Sequence, residues 1–316
     1  MTGTPAAEVR IDTDLVRSLI RDQHPQYAKL SLRPIGSGWD NVMMRLGSDM
    51  LVRLPRRSIA VPLIEHEQRW LPELAPRLPI AVPAPIHVGR PSARYPWPWS
   101  ISAWLPGEAA DLAAPRPDEG RRLAEFLAAL HHRAPPEAPL NPVRGVPLIN
   151  RADSMAERIH RLRSQTELDS SRLEGIWLDA LEAPAAADAR WLHGDLHPLN
   201  ILVLKGRIVG IIDWGDITGG DIATDLAAFW MMFDGPVRRR ALAAYGDIDE
   251  PTRARARGWA VLFGAVLLDT GLVDHPRHAA IGAKILRRLV AADERLPEAT
   301  AARSQDFLYD DEGLPK

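Results

Sequence analysis

The chain has 316 residues, 39 Lys and Arg against 41 Asp and Glu, a formal net charge of −2, and no cysteine. That length can bury a sizeable core in two units. The near-neutral charge argues against a nucleic-acid partner held by general electrostatics, and the missing thiols exclude disulfides, a thiol nucleophile and a cysteine metal site.

In chain order, Met1–Val9 lacks the basic-then-apolar pattern of a secretory signal. Residues 11–24 read as a helix with Leu15, Leu19 and Ile20 on one face, and strand-like pieces follow at Leu30–Ile35, Val42–Leu46 and Met50–Leu54. Between the first two strands lies Gly36-Ser37-Gly38-Trp39-Asp40-Asn41. A glycine-containing turn of this kind can bring backbone N–H groups close to phosphate oxygens, with Ser37 and Gly38 as candidates; a plain hairpin turn has the same composition. A helix is expected from Glu65 toward Leu78, and the prolines of Leu78–Pro85 then impose an extended path. Tyr95-Pro96-Trp97-Pro98-Trp99 is a rigid aromatic turn whose tryptophans are expected to pack beneath it, a ligand platform being the alternative. It leads into an apolar strand, Trp99–Leu105, that ends at Pro106-Gly107-Glu108.

The second half reads as helical. Leu123, Phe126, Leu127 and Leu130 form an i, i+3, i+4, i+7 stripe, and Met155, Ile159 and Leu162 mark another helix. His131 and His132 are adjacent, so they do not share a helix face as a two-histidine metal site would require. Phe229-Trp230-Met231-Met232-Phe233 fits a core helix or, alternatively, an apolar ligand surface. Trp259–Leu268, the longest apolar stretch, is too short to span a bilayer and reads as a buried helix. The tail Asp306–Lys316 reads as frayed, its acidity serving solvation. The expectation is a soluble cytoplasmic chain, monomer or homodimer, without a membrane or nucleic-acid partner.

The most informative stretch is Trp191–Asp216. His193, Asp195 and Asn200 form a polar cluster; two apolar runs rich in β-branched residues, Ile201–Leu204 and Ile208–Ile212, follow it. Lys205-Gly206 joins them as a two-residue turn, and Asp213 ends the second run. A tight hairpin brings the loop before it and the aspartate after it to the same end, where Asn200 and Asp213 can share one cation. Phosphoryl transfer needs such parts: a carboxylate to orient and deprotonate a hydroxyl, and an Asn plus an Asp to hold Mg²⁺ against nucleotide phosphates.

This segment closely resembles the catalytic core of the aminoglycoside phosphotransferase family, within the protein-kinase-like group. Its pattern, His-Gly-Asp-x-x-x-x-Asn, a hairpin and then Ile-Asp-Trp, is present in full from His193 to Trp214. The resemblance implies an α+β, bilobal, kinase-like fold. Residues 1–104 would form a small nucleotide-binding lobe with an antiparallel sheet and a helix. Residues 105–316 would form a larger, mostly helical lobe that carries the catalytic hairpin and binds the acceptor.

The resemblance also implies roles. Asp195 is the catalytic base, Asn200 and Asp213 hold Mg²⁺, and Ser37 and Gly38 cover the phosphates of ATP or GTP. Arg53 stands where the family commonly has a lysine; no lysine lies between Leu30 and Lys205. Glu67 would fix Arg53, with Glu65 as the alternative partner, and a surface position for Arg53 is the competing reading. Backbone groups of Ser102, Ala103 and Trp104 would meet the purine. His193 and Asp225 would support the loop, Asp225 by reaching its backbone, and Asp221 or Thr224 would cap the following helix. The place of His197 stays open, an exposed position at the loop's edge being one reading.

The implied acceptor is an aminoglycoside-like antibiotic, a polycation that needs convergent carboxylates; Asp216, Asp221, Asp234, Asp269 and Asp274 lie in the expected half. A macrolide, a choline- or homoserine-like metabolite, or a silent nucleotide-binding module are the alternatives.

Overall fold

The computed structural model describes residues 6–166 and 168–293. The acidic tail Asp306–Lys316 lies outside them. The first helix, α1 (Thr13–Gln23), starts where Asp12 accepts a hydrogen bond from the Leu15 N–H at 3.0 Å, satisfying one of the donors that a helix start leaves unpaired. Strands β1 (Leu32–Ser37), β2 (Asn41–Leu46) and β3 (Met50–Pro55) follow as a meander. Helix α2 (Val61–Leu74) crosses to β4 (Pro85–Gly89) and β5 (Trp99–Ala103). The five strands form one antiparallel sheet in the order β1-β2-β3-β5-β4. Alternate residues such as Met44, Leu46, Val52 and Leu54 point into a core with Val16, Leu19 and Ile20 of α1. Trp99 is fully buried there and Trp97 packs against its edge, as the proline-framed turn suggested.

Beyond the sheet come β6 (Glu108–Ala109), α3 (Glu119–Leu130), α4 (Ala152–Gln165), α5 (Ser170–Glu182) and β7 (Arg190–Leu192). Next are β8 (Ile201–Leu204), β9 (Arg207–Ile211) and β10 (Thr218–Gly220). The chain closes with α6 (Ala223–Leu226), α7 (Ala228–Met232), α8 (Gly235–Tyr245), α9 (Glu250–Asp274) and α10 (Pro276–Asp293). Phe229, Trp230 and Met231 of α7 are core residues. Helix α9 runs well past the apolar stretch seen in the sequence, and 72% of its most apolar window is buried inside the fold, so its apolarity serves packing.

Three features position the site. Strands β8 and β9 form the expected hairpin: Lys205 (φ 53°) and Gly206 (φ 78°) both adopt the left-handed conformation that a primed two-residue turn needs. The proline-punctuated run is stitched to this hairpin, because the Ile211 N–H donates to the Ala81 carbonyl at 3.0 Å. Buried Arg255 of α9 donates to Asp221 at 2.6 Å, pinning the segment after the hairpin to the helical core. Breaking such a buried pair from one side strands a charge and costs about 3–5 kcal/mol.

Candidate active site

The loop between β7 and β8 is held by its own backbone. Buried Asp225 accepts hydrogen bonds from the N–H groups of His193 (2.7 Å) and Gly194 (2.9 Å), and His131 approaches its carboxylate at 3.3 Å. The other nitrogen of His131 meets the Tyr245 hydroxyl at 2.8 Å; burial and the nearby Asp225 charge push the Tyr245 pKa up to about 12. His131 thus serves this carboxylate. Gly194 has φ +84°, and a Cβ there would sit 2.4 Å from the Asp216 carbonyl oxygen, so the position admits only glycine. The His193 ring accepts from the Asp195 N–H at 3.2 Å through Nδ1 and bonds the Ile212 carbonyl at 2.9 Å through Nε2. Neutral imidazole with its proton on Nε2 satisfies both contacts.

Asp195 is anchored on three sides. Arg144 donates to Oδ1 at 2.6 Å, His197 Nε2 lies 3.3 Å from Oδ2, and Asn200 Nδ2 donates to the Asp195 carbonyl at 2.8 Å and to Oδ2 at 3.3 Å. Burial alone would raise the pKa of this carboxyl, but the charges of Arg144 and His197 outweigh it and hold the group well below the usual carboxylate range. Asp195 is therefore ionised at neutral pH. Its neighbour Asp216 behaves oppositely: burial and the Asp195 charge push its pKa up, against the opposing pull of Arg144 and of the Asn141 amide that donates to it at 2.6 Å. The position of His197, open in the sequence, is an inward one. It is buried, 6.2 Å from the Phe263 ring, because its imidazole fills the space between Asp195 and α9.

The hairpin register brings the two expected metal ligands together: the Ile212 N–H donates to the Asn200 carbonyl at 2.9 Å, one residue before Asp213. With its amide nitrogen committed to Asp195, Asn200 has its amide oxygen left to ligate a cation. Asp213 adopts φ 64° and exposes 55% of its side chain. One carboxylate and one amide oxygen are hard ligands of the kind and number that Mg²⁺ accepts from a protein.

Across the cleft, the buried guanidinium of Arg53 donates to Glu67 and to Asp213, the latter at 2.9 Å. Turned to satisfy both ends of its amide, Asn41 adds an oxygen 3.0 Å from Nη2 and 3.1 Å from Nε of Arg53. Burial works to lower the Arg53 pKa, yet the Glu67 and Asp213 carboxylates overcome it and raise the value. Glu67 rather than Glu65 is thus the partner, and Arg53 faces inward.

The remaining expected residues are positioned as follows. Ser37 pairs with Val42 across the β1–β2 turn, and the Gly38 N–H closes that turn onto the Asn41 carbonyl at 2.9 Å. Trp39 at the tip reaches His275, ring centroids 6.3 Å apart. Ser102 and Ala103 pair with Leu51 and Met50 in the sheet. The Trp104 N–H donates to the Asp49 carbonyl at 2.7 Å, and the Trp104 ring lies 3.8 Å beneath the Arg45 guanidinium.

Of the acidic residues considered for a polycationic acceptor, Asp216 lies in the site beside Asp195, and the other four have partners away from it. Asp221 is taken by Arg255 and also accepts from the Ala223 N–H at 3.0 Å, as a cap. Asp234 caps α8 through the Val237 N–H, and Asp269 accepts two bonds from Arg161 at 3.1 and 2.7 Å. Asp274 lies 3.4 Å from His275.

Sequence reasoning did not single out Asn41, Asn141 or Arg144. The signal available was Asn141-Pro142, a turn former: the Asn141 side chain accepts from the Val143 and Arg144 N–H groups at 2.9 and 3.1 Å and so aims Arg144.

An antiparallel sheet over a helical body, with an Asp-Asn-Asp set at the hairpin mouth, defines a kinase-like class. A family model described as "Phosphotransferase enzyme family" (APH) matches residues 31–259, and the chain belongs to that family. Among curated relatives, an aminoglycoside 3'-phosphotransferase of Escherichia coli is 27% identical over 166 residues; the match spans 48% of this chain and only 60% of that protein. A Bacillus subtilis protein, YcbJ, is 28% identical over 239 residues, 68% of this chain and 71% of its own. Among solved structures, the GDP complex of aminoglycoside 2'-phosphotransferase-IIIa superposes with a TM-score of 0.65 at 20% identity, covering 90% of this chain and all of that one. The macrolide 2'-phosphotransferase MphH of Brachybacterium faecium gives 0.57 at 21%, covering 87% and 98%. The fold is α+β and kinase-like.

Proposed function

We propose that this chain transfers the γ-phosphoryl group of ATP or GTP to a hydroxyl of a small molecule. The observation that carries the reading is the convergence of Asp195, Asn200 and Asp213 at one end of the β8–β9 hairpin, opposite Arg53. In the proposed step the acceptor hydroxyl oxygen attacks the γ-phosphorus and the bond to the β–γ bridging oxygen breaks. The nucleoside diphosphate leaves, and the hydroxyl proton passes to Asp195. Asp195 orients the hydroxyl in its ionised form. Arg53, kept rigid by Glu67 and Asn41, supplies positive charge toward the phosphates. Mg²⁺ held by Asn200 and Asp213 would neutralise charge on the phosphate oxygens. Positioning and fixed charge account for most of the rate in such reactions.

In the same reading, residues 1–104 bind nucleotide and residues 105–316 bind the acceptor. Ser37 and Gly38 cover the phosphates, and the segment Ser102–Trp104 borders the purine. Relatives whose names specify aminoglycosides or macrolides support an antibiotic-like acceptor as one class to test.

The test is Mg²⁺-dependent consumption of ATP and GTP by the purified chain across aminoglycosides, macrolides and small amino-alcohols, with Asp195→Ala as control. Acceptor-stimulated turnover absent from the control supports the reading. Equal turnover in the control overturns it.

A further inference from the structure

The three groups that touch the Asp195 carboxylate are unequal. Arg144 donates to Oδ1 at 2.6 Å, a short charge-assisted bond, whereas His197 Nε2 and Asn200 Nδ2 both stand 3.3 Å from Oδ2, near the outer limit of a hydrogen bond. The shorter bond of Asn200, 2.8 Å, goes to the Asp195 carbonyl, so this residue holds the backbone more than the carboxylate. Only 16% of the Arg144 side chain and 17% of the Asp195 side chain are exposed, so water competes weakly for either end of the pair. The orientation of the carboxylate therefore falls chiefly to Arg144.

Arg144 is itself held at both ends. Asn141 accepts from the N–H groups of Val143 and Arg144 at 2.9 and 3.1 Å, which sets the turn from which the side chain leaves. The same asparagine donates to Asp216 at 2.6 Å, and its own N–H donates to Thr218 Oγ1 at 3.0 Å, pinning the turn to the segment after the hairpin. Asp216, the second carboxylate on this wall, thereby has a hydrogen-bond partner of its own. At the far end the guanidinium lies 4.8 Å from the Phe263 ring of α9, within the range of a cation–π contact.

We infer that Arg144 is a positioning residue for the transfer step, holding the Asp195 carboxylate in the orientation that receives the acceptor hydroxyl, and that Asn141 acts through Arg144. The inference rests on the phosphotransferase reading, in which Asp195 takes the proton. An ionised carboxylate offers about four lone-pair sites. Arg144, His197 and Asn200 occupy three of them, and the one left for the hydroxyl is on Oδ1, beside Arg144. The hydroxyl proton passes to that atom as the hydroxyl oxygen bonds the γ-phosphorus and the nucleoside diphosphate leaves. In this role Arg144 touches the base, and the phosphates are served across the cleft by Arg53.

The experiment compares the full-length wild type with Arg144→Gln, Arg144→Lys, Asn141→Ala and the double variant Asn141→Ala/Arg144→Gln. Crystal structures with ADP and Mg²⁺ give the orientation of Asp195. Steady-state ATP turnover is measured with the most stimulating acceptor, or with water as acceptor where none stimulates, and calorimetric titration of ADP with Mg²⁺ checks that each variant is folded.

In crystals of Arg144→Gln the Asp195 carboxylate should turn from its wild-type orientation while the 193–200 backbone stays in place. Its kcat should fall about 10²-fold, as for a reacting group displaced by about an ångström, with KM and ADP affinity unchanged. Arg144→Lys, which keeps the charge without the planar fork, should recover part of the loss. Asn141→Ala should lose less, and the double variant should be no slower than Arg144→Gln alone, because both residues act along one path. An unmoved carboxylate, a raised KM at unchanged kcat, or additive losses in the double variant overturns the inference. A wild type that consumes no nucleotide under any of these conditions fails the phosphotransferase reading instead, and the crystals then still decide whether Arg144 orients Asp195.

Discussion

Arg53 and Asp213 are 160 residues apart in the chain and meet at 2.9 Å across the cleft, with Glu67 on the far side of the same guanidinium. One planar group thus spans a carboxylate on α2 and the carboxylate at the hairpin mouth. Arg53→Lys keeps the charge but cannot address both carboxylates and Asn41 at once. Nucleotide affinity should fall about tenfold, the equivalent of one charge-assisted hydrogen bond. Calorimetric titration of ADP with Mg²⁺ would show this; unchanged affinity would mean that Arg53 does not face the phosphates.

Asp195→Asn retains the shape of the side chain and its bond from Arg144 but removes the proton acceptor. Turnover with any stimulating acceptor should fall by about 10²–10⁴-fold, while nucleotide binding persists. Steady-state rates together with ADP titration separate the two effects. Wild-type turnover in this variant would remove Asp195 from the chemistry.

Asp225→Asn replaces a buried acceptor of two backbone N–H groups by an amide that can satisfy only one of them well without presenting its own donor. The loss should be about 1.5–3 kcal/mol of stability, the range for hydrogen bonds to a charged group. Urea unfolding should show a lower midpoint with an unchanged slope. Because His193 and Gly194 lead directly to Asp195, turnover should fall as well.

His278 supplies a pH dependence. Burial, followed by the charges of His275 and His197, holds its pKa below the ordinary 6.5, and His24 is shifted the same way by burial and His87. The unfolded chain takes up these protons first. Their stabilising contribution is therefore present above pH 6.5 and is lost as pH falls through the lower folded-state values. Urea midpoints should decline over this interval, and His278→Gln should flatten the decline. An identical slope in the variant would contradict the assignment.

Much of this architecture is legible in the chain because the relevant signals are local. The β8–β9 hairpin announces itself through two β-branched runs and a two-residue turn, and α1 and α3 through their apolar stripes. Asp195, Asn200 and Asp213 stand out because the spacing of three polar residues around that hairpin is itself local. Arg144 is different. It sits in Pro139–Pro147, a run without periodicity, and reaches an aspartate 51 residues away through an Asn141 turn. His197 stayed open for a related reason: a polar residue in a loop can face solvent or the core until the packing of α9 is known. Strand β6, only two residues long, has no pattern to read and is defined by its partner β8.

The stitch between Ala81 and Ile211 has a consequence for how the molecule breathes. A backbone hydrogen bond of 3.0 Å ties the sheet side of the chain to the hairpin, whereas the far rim is spanned by the Trp39 and His275 rings at 6.3 Å. A pair of rings at that separation contributes about 0.5–1.5 kcal/mol beyond its burial and parts more readily than the ladder it faces. This contrast predicts a spine and a mouth: rotation about the Ala81–Ile211 edge should open the Trp39 rim, the side on which the proposed reaction would admit its substrates. Hydrogen exchange should find the Ile211 amide among the slow core amides while the 36–41 turn exchanges fast; the reverse order would place the spine elsewhere.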